Sequence, residues 1–170
     1  MLKNLNPNYA IVLSTLLWGT WWYPLRLLNE YAYNNAIPLT LSFTIAGLFL
    51  LFFSYKNISK LTNRNLILTI VAASAGAAAM CLYNEGLIRG NVARVLIFFY
   101  LTAVWSTLIE IIFLRAALNI YRFFSISSGF IGLFIITGLD QGNFMPSTLA
   151  DLFGILSGFL WSICATLIRI

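Results

Sequence analysis

Six stretches of this chain are apolar without interruption over roughly the 20 residues that a helix needs to cross the hydrocarbon core of a bilayer. They run from Tyr9 to Leu28, Ala36 to Tyr55, Asn65 to Tyr83, Val92 to Leu114, Phe123 to Leu139 and Leu152 to Ile168. Their apolar residues are continuous, whereas membrane barrel strands alternate apolar and polar over about 10 residues. Hydrocarbon offers no partner to a peptide group, so runs of this kind close their own hydrogen bonds as α-helices. Only 9% of the 170 residues are charged and 61% are hydrophobic. A soluble domain carries about a quarter charged residues, and this chain has too few to cover a globule in water. The predicted fold class is therefore an all-α membrane protein with about six transmembrane helices.

The opening run is long and aromatic and has no small-residue cleavage site, so it reads as a retained first span and not as a signal peptide. Short polar joints separate the spans, and none is long enough to divide soluble domains. Their charges are uneven. Lys56, Lys60 and Arg64 share one joint, and Arg115 and Arg122 another, both without an acid. Asp140 and Asp151 share a joint without a base, Glu30 lies in a fourth, and Glu85 with Arg89 makes a fifth that is mixed. Lys3 and Arg169 flank the ends. Basic joints stay on the cytoplasmic side, so the expected arrangement is a multi-pass protein of the cell (inner) membrane with both termini cytoplasmic.

Several functions are excluded early. The net charge of +5 suggests nucleic acid, but the basic residues are scattered singly at the ends of apolar runs and form no patch. There is no histidine, which removes histidine metal sites and histidine general bases. Cys81 and Cys164 both lie inside apolar runs, where free cysteines act as packing residues. No phosphate-binding glycine loop and no cluster of nucleophile and base is present. The chain is read as neither an enzyme nor a cofactor protein.

An internal echo supports a repeat. Leu17-Trp18-Gly19 is followed by Arg26, eight residues after the tryptophan; Leu160-Trp161-Ser162 is followed by Arg169 at the same spacing. Five helices separate the two copies. Five is odd, so the second copy crosses the membrane in the opposite sense, as in the inverted repeats of secondary transporters. Trp and Arg also mark membrane interfaces in general, which is the alternative reading of the echo. The expected organisation is a five-helix repeat over 9–139 and the first helix of an inverted second repeat over 151–170, a truncated form or a fragment of a roughly doubled protein.

Residues 16–26, Leu-Leu-Trp-Gly-Thr-Trp-Trp-Tyr-Pro-Leu-Arg, resemble the Trp-Gly motif that opens each repeat in the drug/metabolite transporter superfamily, specifically its EamA-type members. The stretch from Arg94 through Tyr100-Leu101-Thr102 to Val104-Trp105 resembles that family's fourth helix, Gly129 and Gly138 its fifth, and Asp151–Arg169 the start of its second repeat. There are three departures, one of them Glu110, which has no counterpart in the family pattern. The family usually has Pro where this chain has Ala103, and Leu-Gly-Glu where it has Leu114-Arg115-Ala116. The resemblance implies alternating-access movement of a small metabolite such as an amino acid, often outward; the other reading is a non-transporting remnant or structural membrane component. The implied partners are the lipid bilayer and a small-molecule substrate, with either a second copy of the chain or a missing C-terminal half.

The candidate substrate-binding residues are Trp18, Trp22, Arg26, Tyr83, Glu85, Arg94, Tyr100 and Trp161. The resemblance implies that the aromatics line a midplane cavity and that Arg26, Arg94 and Glu85 supply charged contacts. Pro24 has no N–H for the carbonyl of Thr20, which predicts a kink. Freed backbone groups at such breaks meet substrate in transporters; neighbouring helices satisfy them otherwise. Glu85 and Arg89 fall on one helical face and can pair, either as a solvated interfacial pair or as a gate. Arg94 either snorkels to the interface or contacts an anion. Glu110 lies about 6 Å inside the end of its span, where it reaches headgroups or Arg115, or serves function as intramembrane acids often do. The alanines from Ala72 to Ala79 and the pair Gly154 and Gly158 are packing signals that let helices approach.

Overall fold

A computed structural model describes residues 7–31, 36–58, 63–115, 119–136 and 146–169. Lys3, Lys60, Ala116, Gly138, Leu139 and Asp140, all named above, lie outside the described residues. Among those described there are helices and no strand. In order they are α1 (Pro7–Thr20), α2 (Trp22–Tyr31), α3 (Ala36–Ile58), α4 (Asn63–Arg89), α5 (Val92–Tyr100), α6 (Thr102–Leu114), α7 (Ile120–Ile136) and α8 (Leu149–Arg169). The all-α membrane class is as expected. Arg64–Arg89, Val92–Leu114 and Leu149–Arg169 are each long and apolar enough to cross a membrane, and α3 contains the shorter apolar stretch Phe43–Phe53. Large apolar side chains such as Leu16, Phe49, Phe52, Ile112 and Phe113 are exposed, which hydrocarbon tolerates and water does not.

The chain forms two compact units, Met1–Leu50 and Leu51–Ile170. In the first, the expected kink is a break. The ladder tightens where the Trp21 N–H donates to the Trp18 carbonyl at 3.3 Å, and α2 begins at Trp22. The cause is Pro24, which leaves the Thr20 carbonyl without its helical donor. The Thr20 hydroxyl meanwhile donates back to Leu16 at 2.9 Å. α8 carries the echo of this segment but does not break, because the position corresponding to Pro24 is Leu167, which has its N–H.

The second unit is organised around α8, which packs against α4, α5 and α6. Small residues make this possible. A Cβ added to Gly154 would lie 2.9 Å from the Val95 carbonyl oxygen, and one on Gly158 2.6 Å from that of Phe99. The two glycines therefore let the backbones of α8 and α5 touch, as the GxxxG spacing predicts. Gly86 and Gly90 do the same for the end of α4, where a Cβ would meet the Ala150 carbonyl oxygen at 3.3 Å and the Ala150 Cβ at 2.4 Å, respectively. Gly76 gives room to the buried Cys164, while Cys81 is exposed on its unit.

Two boundaries differ from those expected of the sequence. The third span continues as helix to Arg89, well past Tyr83, because Glu85 and Arg89 pair across one turn and Asn84, Gly86 and Leu87 are buried. The fourth span is divided at Leu101. The end of α6 falls at Leu114, as expected. Arg115 adopts the left-handed conformation, φ 51° and ψ 33°, and its N–H donates to the Glu110 carbonyl. A side chain suffers a steric penalty there that glycine avoids. Arg115→Gly is expected to stabilise the protein by about 1 kcal/mol, read as a rise in the thermal unfolding midpoint in detergent.

Candidate functional site

The α4–α5 turn brings together three helix ends: the end of α4 and the starts of α5 and α8. Asn91 caps α5, its side chain accepting from the Arg94 N–H at 3.3 Å. Thr148 and Asp151 form a reciprocal cap on α8. The Asp151 N–H donates to the Thr148 hydroxyl at 3.1 Å, and the Asp151 carboxylate accepts from the N–H groups of Ser147 and Thr148, both at 3.1 Å. This is the capping-box pattern, with Asp in the place of Glu.

Into this cap reaches Arg94, whose Nε donates to Asp151 Oδ1 at 3.2 Å and Nη2 to Oδ2 at 2.9 Å. The planar fork meets both oxygens of one carboxylate, the geometry that makes such pairs strong and directional. The Asp151 side chain is 2% exposed and that of Arg94 28%. The acid also sits where a helix N-terminus favours negative charge. Arg94 is thus bound within the protein and does not merely extend to the interface.

A second charged cluster lies at the opposite end of α8. Glu110 of α6 accepts from Arg122 of α7 at 2.6 Å and from Arg169 of α8 at 2.8 Å. One buried carboxylate therefore links three helices. The sequence predicts headgroups or Arg115 as its partner. Arg115 is instead the residue that ends α6, while the approach of α7 and α8 supplies two other guanidinium groups.

Between the clusters the fourth span is interrupted at one residue, Leu101, which keeps right-handed helical dihedrals (φ −55°, ψ −13°). Leu101 lies about 14 Å along Val92–Leu114 at the usual helical rise, near the middle of a ~30 Å hydrocarbon core. The Leu101 N–H donates to Phe98 at 3.3 Å. The Thr102 hydroxyl donates to the Phe99 carbonyl at 2.5 Å, and that of Ser162 to the Thr102 carbonyl at 3.1 Å. The Thr102 hydroxyl thereby serves a carbonyl at the interruption, and the Ser162 hydroxyl ties α8 to the first turn of α6. Beside the interruption is a cavity of about 380 Å³ lined by Tyr100, Ala103, Ser125, Ile126, Gly129 and Phe130. Its wall is almost wholly apolar, with the aromatic residues Tyr100 and Phe130 among the lining.

The eight candidates are distributed as follows. Tyr100 lines this cavity. Tyr83 is buried against the Phe99 ring, with centroids 4.7 Å apart. Glu85 pairs with Arg89 on an exposed face. Arg94 is held by Asp151, and Trp161 is half-buried on α8. Trp18, Trp22 and Arg26 belong to the first unit, where Trp18 and Trp22 are exposed. Asp151, Thr102 and Ser162 escape sequence reasoning as site residues. The Thr-x-x-Asp at 148–151 is a usable signal for the first; the hydroxyls have none, since their role depends on the approach of α8.

Continuous helices of spanning length, small-residue contacts and a mid-span interruption where a hydroxyl serves the backbone define a multi-pass helical membrane protein. The model of the EamA-like transporter family matches residues 6–138. The chain belongs to that family, a family of membrane transporters. No curated protein and no solved structure was found to match the chain.

Proposed function

We propose that the chain is the first repeat, and the opening helix of an inverted second repeat, of a transporter that moves a small metabolite such as an amino acid outward by alternating access. The observation that carries this reading is the interruption at Leu101 with the Tyr100–Gly129 cavity beside it. Broken helices near the midplane provide substrate sites in transporters built from repeats. The orientation with both termini cytoplasmic rests on the basic joints.

A non-transporting membrane component is the second reading. It is favoured by the two buried carboxylates, both bonded to arginine. Flux separates the two. Proteoliposomes carrying the chain, sorted by labelling of Lys60→Cys as the sole cysteine, are expected to release a loaded amino-acid pool outward. Gly129→Leu should fill the cavity and reduce that flux at least tenfold without loss of fold, since a Cβ at Gly129 meets nothing within 4 Å. Absence of flux from the unaltered chain for any amino acid or related metabolite would favour the structural reading.

A further inference from the structure

A second cavity, of about 470 Å³, lies between the start of α4 and the end of α8. We infer that it holds an acyl chain of an anionic phospholipid whose phosphate sits between Arg64 and Arg169. The wall is mainly apolar, with Leu68, Ala72 and Ala73 from α4 and Cys164, Leu167 and Ile168 from α8. The polar lining residues are Asn65, at the mouth, and Thr69, whose hydroxyl donates to the Asn65 carbonyl at 2.7 Å. From Asn65 to Ala73 the cavity follows α4 for about 12 Å at helical rise. It runs from the end of a spanning segment into hydrocarbon depth, the path of a lipid tail.

The charge at its mouth selects the headgroup. Arg64 directly precedes the first lining residue of α4, and Arg169 directly follows the last of α8. Arg64 is exposed. The Arg169 side chain is 69% exposed and gives Nη1 to Glu110, with further donors on a five-donor guanidinium. At this end of the bundle Arg64, Arg115, Arg122 and Arg169 stand against the single carboxylate of Glu110 among the described residues. An excess of positive charge beside an apolar slot fits one phosphate with a chain attached. A zwitterionic headgroup would leave the excess uncompensated.

The test is native mass spectrometry of the detergent-solubilised chain with phosphatidylglycerol or phosphatidylcholine, alongside thermal unfolding with each. Phosphatidylglycerol should be retained over phosphatidylcholine by at least about fivefold, the factor expected for one arginine near a membrane surface. Arg64→Gln should remove about that factor, and Ala73→Phe should expel both lipids. If Ala73→Phe does not fold, the exposed Arg64→Gln still decides. Equal retention of the two lipids would overturn the inference. So would stabilisation by inorganic phosphate alone as large as that by the lipid, which would mark a free-anion site. A lipid-free dimer would also overturn it, because a second copy would then cover the groove.

Discussion

Asp151→Ala is expected to lower the stability of the chain by about 3 kcal/mol, combining loss of a helix cap with an arginine left without its carboxylate. The variant removes the acceptor for two backbone N–H groups and for both arms of Arg94. Removing one partner from a fully buried pair costs about 3–5 kcal/mol. Here the Arg94 side chain is 28% exposed, so water recovers part of that loss. The check is equilibrium unfolding in mixed micelles, with Asp151→Asn falling between the wild type and the alanine variant. Glu85→Ala is the control. It breaks a pair of the same formal charge on an exposed face, and such pairs contribute at most about 1 kcal/mol. Equal losses for Asp151→Ala and Glu85→Ala would refute the view that the reciprocal cap and the paired arginine hold α5 to α8.

Gly158→Leu should have a comparable effect by a different cause. Its Cβ would stand 2.6 Å from the Phe99 carbonyl oxygen and 3.1 Å from the Thr102 hydroxyl. The carbonyl belongs to a helix backbone and has no rotamer by which to withdraw, so α8 must move off α5. Within a bilayer, packing and interhelical hydrogen bonds carry helix association, without a hydrophobic contribution between helices. The displacement would also separate Ser162 from the Thr102 carbonyl. Overpacking costs about 1–3 kcal/mol in well-packed cores, and the leucine variant should reach at least the upper end of that range. Gly129→Ala provides the contrast. Nothing lies within 4 Å of the added Cβ, and helix propensity favours alanine by about 1 kcal/mol. Unfolding should therefore shift to higher denaturant for Gly129→Ala and to lower for Gly158→Leu. Similar behaviour of the two would show that Gly158 is not a contact glycine.

Some features of the fold and site are legible in the amino-acid order. The proline at 24 announces the break in the first span, and the Gly154–Gly158 spacing announces a close helix contact. The Glu85–Arg89 pair follows from one helical turn. All three depend on residues within a single helix. The division at Leu101 is less accessible, because no proline marks it and the Thr102 and Ser162 hydroxyls beside it act from two separate elements. Arg94 is legible as an unusual charge, but its carboxylate lies 57 residues away. Glu110 is legible as an intramembrane acid, and its partner Arg169 is 59 residues away. Arg115 is recognisable as a departure from the family pattern; that it occupies a left-handed cap is a property of the folded chain.

What the sequence determined alone is that this is a helical membrane protein of a transporter family. Apolarity sustained over spanning length leaves the backbone no hydrogen-bond partners but its own, and that holds whichever helices later become neighbours. Which arginine answers which carboxylate was decided by the tertiary structure. Arg94–Asp151 and Arg169–Glu110 require α8 against α5 and α6, where glycines and hydroxyls allow backbones to meet, and Arg122–Glu110 requires α7 beside α6.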